Sequence, residues 1–350
     1  METQAIYHHL TPQTYMKAWI HGNSSVYIVK KGTDGVGDTK NTKKFGGVSD
    51  YHSLRAGFPY HTEEDCKKFF KPLESYNVKL DNELLSSSKE MNKRFYDFDK
   101  WVIMDNNGDI VSQLDKEELK KKILAIHVKD IEVQWSRKYE NYWNTINKAI
   151  SDEVFANANA QSISAIKRDE LIKFMVSLEW RTKPYHPKLQ EALDFAMDKK
   201  LLGVDFKTIS IPEDEQLYPF LKTGYDEYAH SFILKLYREF LYDEKGHMMN
   251  EANNIINQLG IELLIAPNNG EFITSDNPVC RFTNEEGAGE YVFPINTKIA
   301  CRVVRGGTQN SYLLRKLTKD QLIYCNNKLK ENCNEGYVLR VQNRALYFNK

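Results

Sequence analysis

Between Ile123 and Ile150, apolar and aromatic residues recur at three- and four-residue spacing: Ile123, Ile126, Ile131, Trp135, Tyr139, Tyr142, Trp143, Ile146 and Ile150. Residues so spaced share one face only on a helix. The period returns in Ile172, Met175, Val176 and Leu178 of a helix expected over about 164–181. It returns again in a helix expected over 188–202, begun after Pro184 and Pro187. A further segment opens at Pro212-Glu213-Asp214 and runs through Tyr225, Tyr228, Phe232, Leu236 and Phe240. Stripes of this kind are bundle core, not a cofactor box. Outside this block the period changes. Ser25–Val29, Tyr291–Pro294, Lys298–Val304 and Tyr337–Val341 are β-branched and aromatic, and read as strands. Asn107-Gly108 within 101–111 and Asn268-Asn269-Gly270 between Ile261–Ile265 and Glu271–Thr274 read as hairpin turns. The order β-rich 1–114, helical 115–260, β-rich 261–350 predicts an α+β fold in one large domain, with a small hairpin insertion near 101–112. The outer thirds are expected to share one antiparallel sheet, holding both the strand near 26–29 and those near 263–274, with the helices packed on one side.

The charge balance narrows the function classes. Lys+Arg and Asp+Glu are 48 each, so bulk electrostatics gives no sign of nucleic acid, and such binding needs a local patch. The 27% charged and 41% hydrophobic residues are those of a globular chain. Met1-Glu2-Thr3-Gln4 has neither the basic nor the apolar region of a secretory leader, and no apolar run approaches the ~20 residues of a membrane span, so no membrane is expected. The five cysteines form no C-x-x-C pair, which suits reduced thiols and a cytoplasmic location.

The common phosphate-loop, dinucleotide, zincin and nucleophile-elbow motifs are absent. Arg55 and His61 have the spacing of a ribonuclease motif, but Gly57 and Pro59 place them in a loop. Four features remain. His8 and His9 precede Thr11-Pro12, which reads as a helix start with Thr11 as cap and Pro12 in the first turn, a place suited to an anion. On a strand only one of the two histidines faces a given site. Arg181 ends a helix beside Trp180. Glu132 and Glu140 stand in the aromatic helix, where either is costly unless paired, for example with Arg181, or else solvated. Asp276 lies in Thr274-Ser275-Asp276-Asn277-Pro278, placed either to make an Asx-turn or to orient a histidine.

These segments resemble the family catalogued as domain of unknown function 4238. The resemblance rests on His8-His9-Leu10-Thr11-Pro12-Gln13-Thr14-Tyr15-Met16-Lys17-Ala18-Trp19, on Asp130–Trp135 continuing through Glu140-Asn141-Tyr142-Trp143, on Arg181-Thr182-Lys183-Pro184, on Phe272–Val279, and on Phe293–Thr297. Thr11, Thr14 and Asn296 depart from the residues usual at their places. The family's name states no activity, and the resemblance implies only an association of some members with bacterial anti-phage defence. It also favours His9 over His8 as the functional histidine.

Three readings follow. In one, His9 as base, Asp276 as carboxylate and Arg181 as fixed cation hydrolyse a phosphodiester of RNA or DNA, with His8, Gln13, Asn277 and Glu140 binding around them. In that reading His9 and Asp276 lie close and Asp276 is compensated by a histidine N–H or a guanidinium. In another, the chain is a non-enzymatic sensor or protein-binding module of a defence complex that works through the aromatic helices and the 32–47 loop. In a third, the motifs are purely structural staples that tie the chain ends together, with Asn277-Pro278 and Thr11-Pro12 as turn and cap devices. Two candidate ligands, His9 and Asp276, do not make a metal site, and no cofactor is indicated.

Overall fold

The computed structural model describes residues 7–182, 193–195, 207–213, 216, 218–284 and 286–349. Apart from 193–195, the helix expected over 188–202 lies outside the described residues, as do Pro184 and Pro187. The fold is α+β. The chain divides into two compact units: Met1–Ser49, Trp135–Pro187 and Asp243–Lys350 form one, and Asp50–Gln134 with Lys188–Tyr242 form the other. This division does not follow the three compositional thirds.

The first unit holds three sheets. Tyr7–His9 pairs with Gly47–Ser49. A four-stranded antiparallel sheet runs Thr274–Ser275, Gly336–Leu339, Ser25–Lys30, Asp38–Asn41. It joins both ends of the chain, as the outer strands predicted. A Cβ on Gly336 would lie 2.7 Å from the Val29 carbonyl oxygen, so only glycine fits where these two strands meet. The largest sheet runs Cys280–Thr283, Gly289–Pro294, Ile299–Arg305, Leu259–Ile265, Ser311–Lys316, Ser162–Ser164, antiparallel except where Ser311–Lys316 lies parallel to Leu259–Ile265.

Three expectations are corrected here. Leu259–Ile265 and Ser25–Lys30 belong to different sheets. The expected hairpin across Asn268-Asn269-Gly270 does not close: the turn forms, with Gly270 N–H donating to the Pro267 carbonyl, but Leu259–Ile265 already has a partner on each side. Glu271 through Thr274 are all buried, so the segment lacks the one solvated face of a hairpin arm and crosses between the sheets. The loop expected over 32–47 contains the exposed edge strand Asp38–Asn41.

One face of the six-stranded sheet packs on the Arg168–Thr182 helix. Glu179 is fully buried there, and accepts from Arg281 Nε at 2.7 Å, Arg281 Nη2 at 2.9 Å and the Tyr291 hydroxyl at 2.5 Å. Cys301 and Met175 meet at 3.5 Å between their sulfurs. The core between the two larger sheets gathers Val29, Leu264, Phe272, Ile273, Tyr337 and Tyr347 under the Lys319–Asn332 helix. Thr318 caps that helix in a reciprocal box with Gln321.

The second unit holds a three-stranded sheet, Glu83–Leu84, Asn77–Leu80, Val102–Met104. The turn at Gly108 forms as expected, with Met104 bridging Ile110, but Val102–Met104 is an edge strand of this sheet and not a free-standing insertion. The helix expected from Pro212 starts only at Gly224, where Thr223 and Asp226 form a capping box. Arg55 and His61 stand in a loop, as read, with His61 Nε2 2.7 Å from the Arg55 carbonyl. No helix among the described residues is long and apolar enough to cross a membrane.

Candidate functional site

Four segments of the first unit converge: His9–Gln13, Arg181–Thr182, Ser275–Asn277 and the turn Asn332–Gly336. The strand Tyr7–His9 alternates sides, so His8 is fully buried and His9 half-buried on the opposite face, beside Tyr7 at 5.2 Å between rings. His9 Nε2 lies 2.9 Å from the Gln13 side-chain nitrogen, which makes Nε2 the lone-pair nitrogen for this orientation of the amide. The helix that follows is only Gln13–Met16, and Thr11 does not cap it. The Thr11 hydroxyl instead donates to the Asp276 carbonyl oxygen at 3.0 Å. A four-residue helix aligns too few peptide dipoles to hold an anion, so the anion site expected at Pro12 is withdrawn.

Arg181 is fully buried, and its Nη2 reaches the His9 carbonyl at 2.6 Å and Glu140 Oε1 at 2.8 Å. Its guanidinium sits 4.6 Å from the Trp135 ring centre. Glu140 also accepts from Ser136 at 3.1 Å. A π-helical turn over Ser136–Glu140 widens the helix there and turns Glu140 toward Arg181. The pairing that the sequence suggested for Glu140 is thus made. In the second unit Glu132 finds a different partner, the fully buried His52, whose Nδ1 is 2.6 Å away.

Asp276 is where the arrangement departs from the hydrolytic constellation. Its Oδ1 accepts from the Asn334 amide at 2.8 Å, and its Oδ2 from the amides of Glu335 at 2.6 Å and Gly336 at 3.3 Å. It makes no hydrogen bond or ion pair with His9 or Arg181 among the described residues; backbone amides supply the compensation expected from those side chains. Burial pushes the Asp276 carboxyl above its ordinary value, against the pull of the three amides, and the Glu335 charge adds to the push.

Asn277 is equally committed. Its Oδ1 accepts from the Thr182 hydroxyl at 3.0 Å and its Nδ2 donates to the Asn332 carbonyl at 2.9 Å. Asn332 returns two bonds, to the carbonyls of Asn277 and Val279, and Asn334 donates to the Thr182 carbonyl at 2.7 Å. Tyr15 and Trp19 complete the clasp: Tyr15 meets Thr274 at 2.7 Å and donates to the Pro294 carbonyl at 2.9 Å, and Trp19 Nε1 donates to the Phe272 carbonyl at 2.9 Å. Asn332 and Asn334 were not singled out from the sequence, although two asparagines closing a helix are the sort of residues that bond to nearby backbone.

A concave surface lies elsewhere in this unit. An open groove of about 1290 Å³ covers the outward face of the six-stranded sheet beside the Lys319–Asn332 helix. Alternation places Glu290, Arg302 and Glu262 outward on three neighbouring strands, with Arg302 directly opposite Glu262. Arg302 Nη1 lies 3.3 Å from both Glu290 oxygens, and its Nη2 pairs with Glu262. Phe282 and Tyr324 form an aromatic wall, edge to face at 5.9 Å. Arg315 and Arg305 line the same groove and have no hydrogen-bond or ion-pair partner among the described residues.

No solved structure matches the chain. A stretch of 131 residues, 37% of the chain, is 24% identical to tabersonine 16-hydroxylase 2 of Catharanthus roseus and covers 23% of that protein, so the chain spans less than a quarter of that relative's length. The model of one family, described as a protein of unknown function (DUF4238), matches residues 7–311, most of the chain, and to that family the chain belongs.

Proposed function

We propose that the chain is a non-enzymatic recognition module of a bacterial defence complex, and that the motif residues clasp the two ends of its first unit together. The observation that carries this reading is the buried Asp276 carboxylate, which turns both oxygens to the backbone amides of Asn334, Glu335 and Gly336. A general base or metal-binding carboxylate needs a free lone pair toward its substrate. Arg181 is likewise shut in, on the His9 carbonyl and Glu140. The sheet groove is open and chemically mixed, none of the clasp residues lines it, and recognition is assigned to it. The setting in a defence complex comes from the family resemblance.

A phosphodiester-cleaving reading rests on His9, half-buried and oriented by Gln13. One experiment separates the two. Wild-type protein and the His9→Ala variant are expressed in cells, with growth, RNA integrity and DNA integrity followed together. The recognition reading expects RNA and DNA to stay intact with both proteins. Degradation by the wild type that disappears in His9→Ala would overturn it.

A further inference from the structure

The sheet groove carries an ordered distribution of chemistry. Glu290 and Arg302 line it, and the Arg302 guanidinium is shared by Glu290 and by Glu262, which lies outside the lining. Glu290 accepts from Arg302 and from Asn284 Nδ2 at 3.0 Å, and keeps lone pairs beyond these contacts. The lining therefore presents an acceptor at Glu290. Arg315 is half-buried on the next strand, Ser311–Lys316, and neither it nor the exposed Arg305 has a partner among the described residues. Cys325, on the Lys319–Asn332 helix, lines the same groove as Arg302, Glu290 and Arg315. Tyr324, one residue before, and Phe282 supply the aromatic wall. The remaining acids of the groove, Glu286 and Asp320, are exposed and solvated.

A ligand that satisfies this surface needs an anionic end, a planar ring and a donor edge. The guanidinium fork suits phosphate oxygens bidentately. Aromatic faces take a base by stacking, whatever its identity. A carboxylate accepts from the amino group of adenine, guanine or cytosine. The space exceeds the roughly 300–1,000 Å³ of drug-sized sites, which leaves room for ribose and more than one phosphate. Repulsion from Glu290 sets the polarity, with phosphates toward Arg315 and Arg305 and the base toward Glu290. We infer that the groove binds a nucleoside polyphosphate with an amino-bearing base. The inference rests on the recognition reading above and names its ligand class.

The test is calorimetric titration of the full chain with ATP, CTP, UTP and inorganic tripolyphosphate. ATP and CTP are expected to bind, with UTP and tripolyphosphate each about tenfold weaker, since one lacks the amino donor and the other the base. Arg315→Met is expected to weaken ATP at least about tenfold, by loss of a charge-assisted contact. Tyr324→Leu is expected to weaken ATP and CTP while leaving tripolyphosphate unchanged. Thermal melts confirm that each variant is folded, and Arg315→Lys, which keeps the charge and loses the fork, replaces Arg315→Met if the latter is not. Absence of heat with every nucleotide, equal affinity for ATP and tripolyphosphate, or an unchanged affinity in the folded Arg315 variant overturns the inference. Chromatography of the nucleotide afterwards separates the two claims. Intact ATP with measured binding supports both. Binding with turnover leaves the site standing and overturns the non-enzymatic reading. Absence of binding, with RNA and DNA intact in the cell experiment, overturns the ligand assignment alone.

Discussion

Replacing Arg181 by methionine is the sharpest probe of the clasp. The guanidinium is fully buried, and methionine matches its length but not its charge. Two groups lose their partner: Glu140, whose side chain is only 12% exposed, and the His9 carbonyl. Breaking a buried pair from one side costs about 3–5 kcal/mol, because the remaining charge stays out of water uncompensated. Loss of the contact with Trp135 adds about 1 kcal/mol. Combining Arg181→Met with Glu140→Gln removes the stranded charge, so the double variant is expected to recover at least about 1.5 kcal/mol relative to additive single effects. Urea unfolding followed by tryptophan fluorescence measures this. Trp19, Trp135, Trp143 and Trp180 belong to the first unit and only Trp101 to the second, so the signal reports mainly the unit that holds the pair. A loss below about 1 kcal/mol in Arg181→Met, or a cycle additive within about 0.5 kcal/mol, would refute the clasp assignment.

Two further predictions concern pH. Asp276→Asn turns one acceptor into an NH2 group facing backbone donors, and is expected to cost about 1–3 kcal/mol at neutral pH. Because the Asp276 pKa is raised on folding, the native state holds the proton longer; wild-type stability relative to Asp276→Asn is then greatest below pH 3.8 and declines as pH rises through the raised value. Denaturant titrations across that range check the sign, and a wild type that gains on the variant with rising pH would contradict it. In the second unit, burial lowers the pKa of His230 from 6.5 to about 4, with its Nε2 against the Tyr51 carbonyl. The unfolded chain takes up that proton first, so the stability is present above pH 6.5 and lost as pH falls through about 4, a drop of about 3 kcal/mol. Thermal melts of His230→Asn between pH 7 and 4 should show a flatter dependence than wild type.

What the sequence determined by itself is local. Trp135, Tyr139, Trp143, Ile146 and Ile150 of the aromatic period are buried as one helix face, with Tyr142 exposed outside it, and the strands near 26–29, 291–294, 299–304 and 337–341 exist. The motif segments also carried their family membership without any knowledge of the fold. Tertiary structure decided the partners. Ile261–Ile265 has the same strand character whether it folds back on Glu271–Thr274 or pairs with Ile299 and its neighbours; the choice came from burial on both sides, which a local pattern does not record. The same holds for charge. Asp276 was legible as a residue needing compensation, but the compensating groups are three backbone amides of a turn 58 to 60 residues away, and every residue carries such an amide. Glu132 and Glu140 looked alike on one helix, and only the packed chain gave one a histidine and the other an arginine. The groove was hidden for the same reason: Glu290, Arg302 and Arg315 are single charges on three strands, and strand order alone brings them together.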